Sequence, residues 1–117
     1  MLADKAREAV NGKIDVVVGP AMGGIIVAHE LGRALGVRAV FMERVKGEFT
    51  LRRGFEIGED ENVLLCEDVV TTGGSVREVQ NILEKTGRNV LAIAAIADRS
   101  GGNARFTVPF VPLVKLE

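Results

Sequence analysis

Two adjacent acids and a loop of small residues stand close together in the stretch VLLCEDVVTTGGSV, residues 63–76. Glu67 and Asp68 follow four apolar residues, and residues 71–75 read Thr-Thr-Gly-Gly-Ser before a segment with helical periodicity. Free backbone N–H groups at a helix N-terminus bind anions, and glycines allow a ligand to approach closely. Carboxylates repel phosphate but accept hydrogen bonds from hydroxyl groups. The stretch therefore predicts a site for a ligand that carries both a phosphate and hydroxyls, or a bound metal ion.

The same residues are also compatible with a purely structural arrangement. Ser75 could cap the helix while Gly73 and Gly74 tighten the turn, and the acid pair could simply be solvated. If the acids act chemically, they could stabilise positive charge that develops on a sugar ring, directly or through Mg²⁺. The loop lacks the lysine of the nucleoside-triphosphate P-loop, so ATP hydrolysis is not expected.

The elements that must position these residues alternate between strand-like and helix-like segments. The predicted core strands are 14–19, 37–43, 63–68 and 90–98, and the predicted helices are 2–10, 24–35 and 75–87. Residues 50–57 could form a short hairpin arm, and the closing segment 105–116 contains two prolines, which suit a sheet edge. This alternation predicts one α/β domain over residues 1–117, with a parallel sheet and helices on both faces.

A second glycine-rich stretch, GPAMGG at 19–24, lies between the first predicted strand and the helix that follows it. In parallel α/β sheets, ligands bind at the carboxyl ends of the strands. Both glycine loops lie at such ends. We therefore expect the two loops to face one site.

Composition excludes several other classes of protein. The formal net charge is −1, aromatic residues make up 4% of the chain and Trp and Tyr are absent, so a nucleic-acid partner is not expected. The single cysteine, Cys66, excludes an internal disulfide and is predicted to be a buried, inert thiol. His29 has no second metal-ligating side chain nearby and is predicted to be a surface or hydrogen-bonded histidine, not a metal ligand. No apolar run is long enough for a membrane span, so the expected location is the cytoplasm.

Four stretches together resemble one known family. They are GPAMGG, LRRGFEI, EDVVTTGGSV, and DRSGG followed by VPF, and they extend from residue 19 to residue 110. The acidic stretch resembles the phosphoribosyl-diphosphate motif of type I phosphoribosyltransferases, and the whole chain resembles the orotate phosphoribosyltransferases among them. The resemblance implies a Rossmann-like three-layer fold. It also implies transfer of a 5-phosphoribosyl group to orotate, giving orotidine monophosphate and diphosphate, with Mg²⁺ held mainly by the substrate and not directly by the protein.

The resemblance also implies roles for individual residues. Glu67 and Asp68 would hold the ribose hydroxyls, and Arg99 would pair with the orotate carboxylate. The residues implied to wrap the 5-phosphate are Val69, Val70, Thr71, Thr72, Gly73, Gly74 and Ser75, with Thr71 also near the pyrimidine. The residues implied to face the diphosphate are Pro20, Ala21, Met22, Gly23 and Gly24. On residue type alone, Arg99 would be an ordinary charge on a turn at a strand end.

Catalysis is assigned by the resemblance to Glu67, Asp68 and a mobile basic loop that closes over the diphosphate, often in a neighbouring subunit. Lys46 is the candidate in the basic segment 44–53, where Arg52 and Arg53 could be structural. The alternative for this segment is a solvated charged hairpin. A homodimer is expected from the family.

Members of the family carry an N-terminal hood over the base, whereas this sequence begins one helix before the first predicted core strand. The prediction is therefore a phosphoribosyltransferase core without a complete hood. Two alternatives stay open. The chain could be a non-catalytic or truncated core that binds phosphoribosyl diphosphate, or it could act on another base, in which case an arginine placed for a carboxylate should be missing.

Overall fold

The computed structural model describes residues 1–51, 56–58 and 60–116 of the chain. Within these ranges a six-stranded sheet is flanked by three helices. The strands are β1 (Val16–Pro20), β2 (Arg38–Val45), β3 (Glu48–Leu51), β4 (Asn62–Val70), β5 (Asn89–Asp98) and β6 (Phe110–Lys115). The helices are α1 (Leu2–Ala9), α2 (Gly23–Leu35) and α3 (Gly74–Lys85). The spatial order is β3-β2-β1-β4-β5-β6, and all neighbouring pairs are parallel except β2 and β3.

The core lies on both faces of the two central strands. Residues 16–18 of β1 and 63–66 of β4 are fully buried, as expected for β-branched and apolar runs in a parallel sheet. One apolar cluster joins the sheet to α1 and α2, and the other joins it to α3. Helices therefore cover both faces, which confirms the predicted three-layer architecture.

The site is positioned by a reversal of strand order between β1 and β4. The chain leaves β1 towards α2 on one face, and it leaves β4 towards α3 on the opposite face. Loops that diverge from two adjacent parallel strands open a crevice at their carboxyl ends. The two glycine-rich loops flank this crevice, as predicted.

Most predicted elements are found with small shifts at their ends. Helix α2 ends at Gly36, which has the left-handed conformation (φ 71°) expected of a C-terminal glycine. Strand β6 lies at the sheet edge, as its prolines predicted. No helix in the described ranges is long and apolar enough to cross a membrane.

The hairpin differs from its prediction. β2 continues two residues beyond its predicted end and turns back into β3 at Lys46 and Gly47, whose φ angles are 53° and 87°. A two-residue loop in which both residues have positive φ angles forms a hairpin turn. The backbone twist of this turn matches the right-handed twist of the two strands that it joins. The turn thus lies before the predicted arm at 50–57, of which residues 52–55 lie outside the described residues.

Candidate functional site

Residues 71–75, called the phosphate loop after the role that the family resemblance implies for them, connect the end of β4 to the start of α3. Gly73 precedes the helix with φ 84°, and the N–H of Gly74 donates to the Thr72 hydroxyl (3.2 Å). Within the described part of the chain, the N–H groups of Thr72, Gly73, Ser75 and Val76 donate no hydrogen bond. These donors surround a cavity of about 70 Å³ lined by Glu67 and residues 69–76. Such an arrangement can bind a small anion.

One detail of the loop corrects the sequence analysis. Ser75 is not the N-cap, because Gly73 occupies that position and Ser75 is the second residue of α3. A Cβ atom at Gly73 would lie 2.8 Å from Phe106 Cζ, and the positive φ angle is itself unfavourable for other residues. Gly73 is therefore required both by backbone conformation and by the ring that packs against it.

The acid pair divides between the two loops. Successive residues of a strand point to opposite faces, so Glu67 and Asp68 diverge. Glu67 lines the cavity of the phosphate loop, whereas both carboxylate oxygens of Asp68 lie 2.6 Å from the position that a Cβ atom would take at Gly23. Asp68 Oδ1 also accepts from the N–H of Val69 (2.7 Å). The two acids thus stand at the base of the crevice, one towards each loop.

The environment of Glu67 changes its titration. The side chain is half-buried, and its Oε1 accepts from the N–H of Asp68 (3.1 Å). Burial raises the pKa of Glu67 to about 7, and the neighbouring Asp68 carboxylate adds to this rise. Near neutral pH, Glu67 can therefore donate or accept a hydrogen bond, whereas an ordinary glutamate only accepts.

Residues 19–24, called the diphosphate loop after the role that the family resemblance implies for them, connect β1 to α2 by a turn that requires glycine at two positions. A Cβ atom at Gly19 would collide with the carbonyl oxygen of Gly24, and one at Gly24 would lie 2.8 Å from Pro20 Cδ and 3.0 Å from Gly19 Cα. The Ala21–Met22 peptide is cis, and the N–H of Ala21 donates to the Met42 carbonyl of β2 (2.8 Å). The side chain of Met22 is 78% exposed. Met22 and Gly23 are exposed, so this part of the loop is open to a ligand in the crevice.

Arg99 follows β5 and lies next to the phosphate loop. Its N–H donates to the Val70 carbonyl at the end of β4 (2.8 Å). The preceding Asp98 is buried and accepts from the N–H and the hydroxyl of Ser100 (2.9 and 2.6 Å), and these bonds lower the pKa of Asp98. The exposed guanidinium of Arg99 forms no hydrogen bond or ion pair with other described residues. It is therefore available to an anionic ligand beside the loop.

Lys46 lies at the tip of the β2–β3 hairpin, beyond the carboxyl edge of the sheet. Pro20, the last residue of β1, pairs with Met42, so β2 extends three residues further before the turn. Arg44 fixes this hairpin to α3, because its guanidinium bonds both carboxylate oxygens of Glu78 (3.0 and 2.9 Å). Lys46 itself is exposed and forms no ion pair within the described residues.

The basic segment is thus divided. Arg44 forms a structural contact, Lys46 is exposed to solvent, and Arg52 and Arg53 lie outside the described residues.

The predictions for Cys66 and His29 are both confirmed. Cys66 is buried, and burial raises the pKa of its thiol. His29 is exposed on α2.

Sequence analysis missed Arg77, in the first turn of α3. Its guanidinium donates to the Thr72 carbonyl (2.9 Å) within the phosphate loop and lies over the Phe106 ring, 5.0 Å from its centroid. A cation in the first turn opposes the helix dipole, which favours negative charge there. A basic residue in the first turn of the helix that follows the loop was therefore the sequence feature that could have indicated local hydrogen-bond partners for this arginine.

Comparison with known proteins gives results that agree with this geometry. Residues 1–107 match the family model described as "Phosphoribosyl transferase domain". An orotate phosphoribosyltransferase of Heliobacterium modesticaldum is 57% identical over 116 residues, which are 99% of this chain and 60% of that protein. The chain thus spans about 60% of the length of this curated relative.

Two solved structures share the fold. An orotate phosphoribosyltransferase from Aeropyrum pernix has a TM-score of 0.74 at 26% identity, covering 98% of this chain and 70% of that one. A purine phosphoribosyltransferase from Pyrococcus horikoshii has a TM-score of 0.76 at 27% identity, covering 99% of this chain and 78% of that one. The same fold is therefore found with more than one acceptor base.

Proposed function

Because the chain belongs to the phosphoribosyltransferase family, we propose that it carries the site that transfers a 5-phosphoribosyl group from phosphoribosyl diphosphate to orotate. The observation that carries this proposal is the crevice between β1 and β4, where the two loops flank the acid pair. Orotate is proposed as the acceptor because curated relatives that match almost the whole chain, at 57% and 51% identity, bear the name orotate phosphoribosyltransferase.

The chain's own groups suggest how such a ligand would be bound. The N–H groups of the phosphate loop would hold the 5-phosphate, while Glu67 and Asp68 would accept hydrogen bonds from the ribose hydroxyls. The diphosphate loop would place its backbone against the leaving group. Arg99 would pair with the carboxylate of orotate, a task that suits a planar, bidentate donor.

The proposed reaction breaks the bond between ribose C1 and the diphosphate oxygen and forms a bond from C1 to a nitrogen of orotate, whose proton would pass to the departing diphosphate. The ring carries positive charge between these events, and the two carboxylates at the base of the crevice would stabilise it. The remainder of catalysis is positioning of the two substrates. Lys46 would approach the departing diphosphate from the hairpin tip.

The donor set fits Mg²⁺ that is held mainly by substrate. Among the described residues, no three His, Cys, Asp or Glu side chains are grouped around a metal position. Mg²⁺ is commonly bound by one or two carboxylates together with substrate phosphates and water, and Asp68 offers one exposed carboxylate. When bound, the ion would neutralise charge on the diphosphate.

We also propose that the protein is cytoplasmic and forms a homodimer. Met22 and Ile26, at the start of α2, are 78% and 74% exposed, and Ile96 of β5 is 41% exposed. Ile26 and Ile96 line an apolar cleft of about 390 Å³ beside α1. Such a surface is typical of interaction sites, and a second copy of the chain is the occupant that we propose for it.

The rival is a core that binds phosphoribosyl diphosphate without transferring it. The test is the fall in orotate absorbance on mixing the chain with orotate, phosphoribosyl diphosphate and Mg²⁺. We expect loss of signal that depends on all three. A flat trace with retained binding of phosphoribosyl diphosphate would favour the rival.

The acceptor is tested separately by Arg99→Ala. Loss of its guanidinium should abolish orotate binding while leaving phosphoribosyl diphosphate binding intact. Titration calorimetry with each ligand checks this, and Arg33→Ala, at an exposed position on α2, is the matched control. Unchanged binding of orotate by Arg99→Ala would remove the case for orotate.

A further inference from the structure

Arg77 connects two segments that are far apart in sequence. Its Nη1 donates to the Thr72 carbonyl (2.9 Å), while Nε and Nη2 donate to the Arg105 carbonyl (3.2 and 2.9 Å). Thr72 belongs to the phosphate loop, and Arg105 belongs to the segment 99–109 between β5 and β6. One guanidinium therefore bridges both sides of the candidate site.

The bond to Thr72 orients the phosphate loop. A trans peptide is planar, so its C=O and N–H point in opposite directions. When Arg77 fixes the Thr72 carbonyl, it also directs the Gly73 N–H of the same peptide group away from itself. That N–H is one of the unpaired donors beside the small cavity. Arg77 thus sets the direction of a donor without contacting the anion.

Phe106 holds the guanidinium in this position. The ring lies beneath Arg77, with 5.0 Å from its centroid to Arg77 Cζ, and packs edge-on against Phe110 of β6. The same ring approaches Gly73 so closely that a Cβ there would lie 2.8 Å away. The loop, the arginine and the segment 99–109 therefore form one packed unit.

We propose that Arg77 is a positioning residue that couples the phosphate loop to the segment 99–109, whose first residue is Arg99. This inference rests on the proposed function for the ligands involved. It goes beyond that function because it makes phosphate binding and base recognition depend on one shared support. Arg99 should then act on the base alone, whereas Arg77 should act on both ligands.

The variant that tests the proposal is Arg77→Lys. Lysine keeps the charge but lacks the planar fork that can bond two carbonyls at once. We expect the affinities for ribose 5-phosphate and for orotate each to fall at least tenfold in titration calorimetry. Arg33→Lys, an exposed ion-paired position on α2 far from the loop in sequence, is the matched control and should change neither affinity. If Arg77→Lys keeps the affinity for ribose 5-phosphate, only the charge matters and the positioning role fails.

A second measurement needs no ligand. Amide hydrogen exchange reports local opening of hydrogen-bonded amides, and Arg77→Lys should raise exchange at least tenfold at one such amide in each segment. These are the Gly74 N–H, which donates to the Thr72 hydroxyl, and the Asn103 N–H, which donates to the Ser100 carbonyl. An increase in one segment only, or in neither, would overturn the coupling. If both rise while the unaltered chain binds no ribose 5-phosphate, the proposed function fails and the shared support stands. Should Arg77→Lys not fold, Arg77→Gln, which retains one donor group, is judged by the same two results.

Discussion

The phosphate loop and the diphosphate loop leave neighbouring strands of the same sheet, yet they are held in different ways. The Thr72 hydroxyl, Arg77 and Phe106 hold the phosphate loop. The diphosphate loop instead packs glycine against glycine, with the Gly19 backbone pressed on that of Gly24. A loop that depends on side chains can be weakened by truncating them. A loop that depends on their absence should be damaged by adding a single methyl group.

The largest effect is expected for Gly19→Ala in the diphosphate loop. The new Cβ would collide with the Gly24 carbonyl, and two backbones cannot separate without moving β1 or α2. We expect the free energy of unfolding to fall by about 3 kcal/mol, the upper range for overpacking. Urea denaturation measures it. Gly12→Ala is the control, because its Cβ would meet only ordinary contacts at 3.6 and 3.9 Å. Equal stability of the two variants would show that backbone packing does not hold this loop.

A smaller decrease in the free energy of unfolding is expected for Gly73→Ala in the phosphate loop. Left-handed backbone costs about 1–2 kcal/mol for a residue with a Cβ, and the new atom also meets Phe106 at 2.8 Å. The matched control is Gly87→Ala, which has a similar φ angle of 87° but open space around it. Thermal or urea unfolding of both variants isolates the contact with the ring. If both lose the same stability, Phe106 does not support the loop.

Gly23→Ala should alter binding more than stability. Its Cβ would meet the exposed carboxylate of Asp68, which can rotate away, so the cost in stability is expected to stay below about 1 kcal/mol. The displaced carboxylate should weaken Mg²⁺-dependent binding of phosphoribosyl diphosphate about tenfold, equivalent to roughly 1.4 kcal/mol. Titration calorimetry gives the affinity.

A double variant identifies the cause of that loss. In an Asp68→Ala background, adding Gly23→Ala should not weaken the binding of phosphoribosyl diphosphate further, because the two residues act through one contact. Additive losses would mean that Gly23 serves the ligand directly and that the acid is not involved.

Sequence alone predicted what depends on local pattern. The buried runs of β1 and β4, the end of α2 at Gly36 and the placing of both loops at strand ends all follow from periodicity and glycine position. The division of the acids was not predicted, although strand alternation implies it. Which loop each acid faces depends on α2 and α3 packing on opposite faces of the sheet.

Other features could not be read from the sequence. Arg77 meets the Arg105 carbonyl 28 residues away, and no local pattern encodes that contact. The hairpin turn was missed because Lys46 is an unusual residue for a left-handed position, which Asn or Asp normally occupies. Ser75 was one possible cap by residue type, whereas Gly73 occupies the N-cap position, where a glycine suits both the positive φ angle and the close approach of Phe106.

The last prediction concerns the difference between the two acids. Burial raises the pKa of Glu67 to about 7 in the folded chain, from an ordinary value of 4.5. Between these values the folded state binds more protons than the unfolded state, so the contribution of Glu67 to stability falls as pH rises. It is fully present below about pH 4.5 and is lost once the pH passes 7. Glu67→Gln should flatten this part of the stability curve in urea titrations between pH 4.5 and 8, whereas Glu8→Gln, an exposed change on α1, should not. A curve for Glu67→Gln with the original slope would mean that Glu67 is as solvated as Asp68, and the two loops would then not differ in how they bury their acids.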